Sequence, residues 1–198
     1  QADIDAKRCS AGPDGKIGTA DDGLPTTWND FIKLMNKMVD DGVTPFTWDG
    51  SHDYQRSGVY TQIWANYEGY NNFMLNYTFN GTDSDPAIGE INENNYQKLA
   101  NQQGRKAGIK AFYDITMNDK YYTKNSYGVN NHKTAQQEYI KSGDRGQKRI
   151  AMFMESSYWE SESRSVFNTL YKKGLDNYAY GVHDYRYMPI PKFTGVEG

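Results

Sequence analysis

The 198-residue chain has a single cysteine, Cys9, so it can form neither an internal disulfide nor a multi-cysteine metal knuckle. Its three histidines, His52, His132 and His183, are far apart in sequence. There is no Gly-rich phosphate loop, no His-Glu-x-x-His and no Gly-x-Ser-x-Gly, which excludes the enzymes recognised by those motifs. No apolar stretch approaches the length of a membrane span, and Gln1 does not open a basic, then apolar, then small-residue signal. The residues just before Cys9 are charged, so it reads as an ordinary thiol and not as a lipidated one. An initiator Met is also missing, as it would be in a piece cut from a longer protein. Basic excess is absent too: the formal charge is -3 and the pI near 5.6, with no run of Lys and Arg interleaved with aromatics. Without that attraction for phosphate, nucleic acid is set aside as a partner.

What the chain does have is aromatic surface. Hydrophobic residues make up 37% and aromatics 15%, enough to build one core of ordinary size. Seventeen of the aromatics are tyrosines and the mean hydropathy is -0.90, so much of this ring area is expected to be wet or half buried, as on a binding surface.

Residues 10–25 are dense in Gly, Pro and Asp and read as a loop of successive turns. Residues 1–26 therefore form an opening loop, and 27–198 a single α/β lobe. Thr27 is a good N-cap with Asp30 at the third helical position. Trp28, Phe31, Ile32, Leu34, Met35 and Met38 then recur at helical spacing until Gly42. Residues 43–48 read as a short strand, which Pro45 restricts to an edge or irregular position. Tyr60, Ile63, Trp64 and Tyr67 predict a helix over 54–70, and 71–90 reads as an exposed excursion. A third helix is expected over 92–117, with Gly104 and Gly108 placed to break it in two. Residues 118–133 read as irregular, 134–141 as helix and 142–146 as a turn. The helix over 160–173 buries Val166, Phe167 and Leu170 and ends at Gly174, and an extended tail follows over 180–191.

The most informative stretch is 151–163, Ala-Met-Phe-Met-Glu-Ser-Ser-Tyr-Trp-Glu-Ser-Glu-Ser, an apolar strand that stops on a carboxylate and then presents two adjacent aromatics. That places Glu155, Tyr158 and Trp159 at the mouth of a sheet, where open α/β architectures collect ligands. A ring face packs against the C–H face of a pyranose while a carboxylate takes its hydroxyl hydrogens, so the turn suits a sugar. Trp48 stands in a similar position beside Asp49. For both tryptophans, a ring that meets ligand and a ring that caps the core remain alternatives, whereas Trp28 and Trp64 fall within helical periodicity and read as core.

Two other chemistries are open on the residues alone. Glu155, Glu160 and Glu162 could supply a glycosidase pair, which needs only two carboxylates at a set separation. The loop 14–22, with Asp14, Asp21 and Asp22, could offer oxygens to calcium, although its spacing is not that of an EF-hand and its Asp side chains can equally satisfy their own backbone. The run 141–149 carries four basic residues around Asp144 and reads as a solvated turn.

Four segments, in order, resemble the family 1 extracellular solute-binding proteins of bacterial carbohydrate ABC transporters. Residues 22–31, Asp-Gly-Leu-Pro-Thr-Thr-Trp-Asn-Asp-Phe, are similar to that family's Leu-Pro-x-Thr-Trp-x-Glu-Phe helix start. Residues 41–48, Asp-Gly-Val-Thr-Pro-Phe-Thr-Trp, are similar to its strand and following loop. Residues 149–162 resemble its Glu-Gly-x-Trp-Trp-Glu element, with Ser156 for the usual Gly and Tyr158 for the first Trp. Residues 187–191, Tyr-Met-Pro-Ile-Pro, are similar to the strand that crosses back between lobes. The resemblance implies a helix-rich α/β lobe of a periplasmic-binding-protein-like (type II) fold with a small mixed sheet, covering the middle of a family member. It further implies no enzymatic activity, no cofactor and no metal, a mono- or oligosaccharide ligand, ABC permease subunits as partners, and a lipid-anchored parent on the extracellular face of a bacterial membrane or in the periplasm. By carry-over, Trp159 and Glu155 face the cleft beside Tyr158, with Trp48, Asp49, Asp53 and Tyr54 as a second group. A cleft needs both walls, so one lobe by itself should hold sugar weakly or undetectably.

Overall fold

The computed structural model describes residues 11–12, 14–19, 21–51, 53–126, 132–144 and 146–193, with the backbone alone for 53–56 and 125. It is helix-rich, with a few short strands, and compatible with an α/β class. The chain divides into two compact units: Gln1–Ile32 with Ser57–Ile115 and Ile190–Gly198, and Lys33–Arg56 with Thr116–Pro189. Cys9 lies outside the described residues.

Helix α1 (Trp28–Asp40) starts as its sequence predicts. The Thr27 hydroxyl donates to the Asp30 carboxylate (2.7 Å) and accepts the Asp30 N–H (3.2 Å), so cap and third-position residue satisfy each other. In the first unit, Trp28 packs on Phe31 (ring centroids 5.3 Å apart) and Phe193 (5.8 Å), and its indole donates to Asp114 (3.2 Å). Residues Thr27 and Lys192 form a parallel bridge; otherwise the tail expected to be an extended strand forms none among its described residues.

Helix α2 (Asp53–Thr78) runs eight residues past the expected end at 70, with non-helical angles at Gly69 (φ 74, ψ 166). Segment 71–78 is therefore helix and not the excursion expected there. Two of its three asparagines, Asn72 and Asn76, poor helix formers read as loop signals, serve a buried polar network. Asn72 and Ser84 bond to each other, and Asn76 donates to Gln102 (2.8 Å). Gln102 is fully buried, and all of its amide valences are used. Its oxygen also accepts the Trp64 indole N–H (3.1 Å), and its nitrogen donates to Asn72 O (3.0 Å) and Asp83 (2.8 Å). Strands β2 (Gly81–Thr82) and β3 (Glu90–Ile91) pair antiparallel over a cluster of Leu75, Ile88, Ile91 and Leu99.

The expected third helix is a 3-10 helix (Tyr96–Asn101) followed by α3 (Gln103–Thr116), and the break falls at Gln102, not at the glycines. Gly104 and Gly108 are inside α3 for a packing reason. A Cβ on Gly104 would lie 2.7 Å from the Trp64 backbone oxygen, and one on Gly108 would lie 2.8 Å from that of Tyr60. With the buried Ala107 and Ala111 they make a small-residue ridge that lets α3 lie against the backbone of α2.

The second unit is built on β1 (Val43–Thr47), paired in parallel with β4 (Arg149–Phe153). Pro45 does not put β1 at an edge. On its other side the Phe46 N–H donates to Tyr121 O (2.8 Å) and the Thr123 N–H donates to Phe46 O (3.1 Å), so β1 lies between two parallel neighbours. Pro45 removes one donor only, and its fully buried ring is packed instead. Among the described residues no mixed sheet forms: one pair is parallel and a separate pair antiparallel. Helix α4 (His132–Ile140) precedes β4. After β4 the expected single helix is α5 (Trp159–Glu162) and α6 (Arg164–Lys172), closed at Gly174 (φ 77) where the Leu175 N–H reaches back to Leu170 O (3.3 Å).

Candidate functional site at the C-terminal edge of the parallel strands

Thr47 and Phe153 are paired in register, and the Met154 N–H donates to Thr47 O (3.0 Å), so the loops leaving β1 and β4 depart side by side. Segments 48–51 and 154–158 therefore share one edge of the sheet, the end where ligands gather in open α/β sheets.

The side chains there are not arranged as expected. Trp159 is 5% exposed, with its indole in an aromatic core: ring centroids lie 4.9 Å from Tyr185, 5.2 Å from Phe153, 5.6 Å from Tyr139 and 6.3 Å from Phe167. It is no stacking surface for a ligand. Starting the helix at Trp159 instead of Glu160 puts positions 159, 163, 166, 167 and 170 on one face, and burying a large indole on that stripe gains more than leaving it in water. Trp48 is likewise interior, at 3% exposure. Its ring is 4.9 Å from that of Tyr122, its backbone N–H donates to Ser126 Oγ (3.2 Å), and its buried indole N–H has no hydrogen-bond partner among the described residues. Asp49 is fully buried and turns its Oδ1 back onto the Ser51 N–H (2.9 Å) and hydroxyl (2.6 Å), which shapes the loop and does not aim the carboxylate outward. Trp48, Asp49 and Trp159 thus leave the ligand-facing set. Asp53 and Tyr54 open α2, and their side chains lie outside the described residues.

Two of the predicted residues remain accessible. Tyr158 is 64% exposed, and Glu155 is half-buried with Oε1 accepting the Ser156 N–H (3.1 Å). Glu160 and Glu162 lie on α5.

A polar group at the same strand ends was not visible in sequence. Glu138 Oε2 on α4 accepts the hydroxyls of Thr123 (2.8 Å) and Thr47 (3.1 Å), which are 2.9 Å from each other. No local pattern joins positions 47, 123 and 138; the parallel bridge of Phe46 with Tyr122 and the packing of α4 do. Around the aromatic core, burial raises the pKa of Tyr139 and, more strongly, of Tyr185, where Tyr139 and Glu160 add to the effect. Tyr178 is pushed up to about 12, first by burial and then by Asp144. These phenols stay neutral and serve as packing surface.

In the loop 14–22 the aspartates bind their own turn. Asp21 Oδ2 accepts the Asp14 N–H (3.0 Å), Asp14 Oδ1 the Lys16 N–H (2.7 Å), and Asp22 Oδ2 the Gly18 N–H (2.8 Å). The Thr19 hydroxyl, then the Asp14 N–H, lower the Asp21 pKa. Among the described residues no group of three or more His, Cys, Asp and Glu side chains is placed to hold a metal ion. Also among them, no helix is long and apolar enough to cross a membrane.

No protein-family model, curated protein or solved structure matches this chain.

Proposed function

We propose that the chain belongs to the second lobe of a type II, periplasmic-binding-protein-like solute-binding protein that captures a carbohydrate and passes it to ABC permease subunits. On this reading it binds without turnover. The parent protein is lipid-anchored on the outer face of a bacterial membrane, or periplasmic. The observation that carries the proposal is the in-register parallel pairing of β1 with β4. It brings two of the four resemblance segments, 41–48 and 149–162, to one sheet edge, where a half-buried carboxylate, Glu155, is followed by an exposed ring, Tyr158. Acceptor oxygens beside an open aromatic face are what a pyranose needs.

The test is a backbone NMR titration of the chain with a panel of mono- and oligosaccharides, a method that detects millimolar dissociation constants. One sugar should shift resonances within 154–158, and no new reducing ends should accumulate. Absence of any saturable shift across the panel would refute the proposal. Hydrolysis lost in Glu155→Gln, Glu160→Gln or Glu162→Gln would replace it with a glycoside-processing enzyme.

A further inference from the structure

The edge presents a second exposed aromatic that comes from a distant part of the chain. Tyr187 is 63% exposed, and its hydroxyl donates to the backbone carbonyl of Ser157. That carbonyl belongs to the peptide unit whose N–H is that of Tyr158. The Tyr187 hydroxyl and the Tyr158 backbone, from positions far apart in the chain, therefore meet at a single peptide of the β4–α5 turn, and both side chains are largely exposed. Both lie in the second compact unit.

We infer that Tyr187 is a ligand-contacting residue of this site, supplying with Tyr158 the aromatic surface for a pyranose that the buried Trp159 cannot supply. The inference rests on the carbohydrate reading above. Its physical basis is the combination of a satisfied hydroxyl and an open ring. A tyrosine turned outward normally keeps its hydroxyl in water and its ring mobile; here the hydroxyl is held by backbone, so the ring is anchored before any ligand arrives. Anchoring removes the rotamer entropy that a free side chain would lose on binding. The tether leaves the ring itself, the part that packs against sugar C–H groups, exposed.

The tether also separates two roles by substitution. Tyr187→Phe keeps the ring and loses the hydrogen bond; Tyr187→Ala loses both. In the NMR titration, with the panel sugar that the unaltered chain holds most tightly among glucose, xylose, maltose, cellobiose and xylobiose, Tyr187→Ala should raise the dissociation constant roughly tenfold. Tyr187→Phe should raise it much less. Both variants should fold, since the side chain is mostly in water, and their melting temperatures verify this. If Phe and Ala weaken binding equally, or if Ala leaves it unchanged while Tyr158→Ala weakens it, Tyr187 is only a brace for the turn and the inference falls while the carbohydrate reading stands. If the unaltered chain binds no sugar of the panel, the carbohydrate reading falls and this inference with it.

Discussion

Replacing Trp159 with alanine distinguishes a core indole from a ligand-facing one. A ligand-facing indole would cost affinity and leave the fold unchanged; the structure reverses this. Trp159 is 5% exposed and touches the rings of Tyr139, Phe153, Phe167 and Tyr185, beside the buried Ile140, Val166 and Leu170. Removing so large a buried ring costs about 3–5 kcal/mol, the transfer term plus the cavity left between α4, β4 and α6. Against a total of about 5–15 kcal/mol for an ordinary domain, that is a large share. For a chain of this size it lowers the melting temperature by about 6–20 °C. Thermal unfolding followed by far-ultraviolet circular dichroism measures it, because the helix-rich fold supplies that signal in both proteins. Tyr158→Ala is the matched control: an exposed ring whose loss should change stability by no more than about 0.5 kcal/mol. A Trp159→Ala protein with unchanged melting temperature and reduced sugar binding would refute the assignment of this indole to the core.

Other consequences follow from particular contacts. Gln102→Ala should destabilise the first unit by at least about 3 kcal/mol, because the Trp64 indole N–H, the Asn76 amide and the Asp83 carboxylate lose a buried partner together; urea unfolding measures it, and a loss under about 1 kcal/mol would contradict the network. Gly108→Ala should lower the melting temperature despite alanine's higher helix propensity, since its Cβ would sit 2.8 Å from the Tyr60 backbone oxygen; a rise would mean that α3 can move away at little cost. Burial, with the charges of Asp83 and Asp85, raises the Glu68 pKa against the opposing pull of the Gly104 N–H. The folded carboxyl therefore holds its proton more tightly than the unfolded one, and its contribution, complete below the ordinary value of 4.5, is lost as pH rises through the higher folded value. Glu68→Gln keeps an acceptor for Gly104 and cannot ionise, so its melting temperature should gain on that of the unaltered chain as pH rises above the ordinary carboxyl value of 4.5; a gap independent of pH would count against it. Calcium and a chelator should leave the melting temperature alike, because the aspartates of 14–22 already hold their own backbone; a calcium-dependent rise abolished by Asp21→Ala would reverse this.

Local chemistry made several features legible in the sequence. The Thr27–Asp30 cap, the Gly174 stop, the apolar stripe of Val166, Phe167 and Leu170, and the strands read at 43–48 and from 151, which run over 43–47 and 149–153, each carry a signal from neighbours a few positions away. What sequence could not decide was which face of a turn each aromatic takes. Tyr158 and Trp159 are consecutive, yet one is 64% exposed and the other 5%, and nothing in their local sequence says which ring meets the core. Only the tertiary structure settled it, because a seat for the indole exists once α6 and the ring of Tyr185 close over β4. The same holds for Asn72 and Asn76, loop signals by composition that became helix because Gln102, 26 or more positions away, accepts or donates their hydrogen bonds. It holds again for the convergence of Tyr187 on the Ser157 carbonyl. Contacts between distant positions leave no periodic trace along a chain, and burial is a property of those contacts.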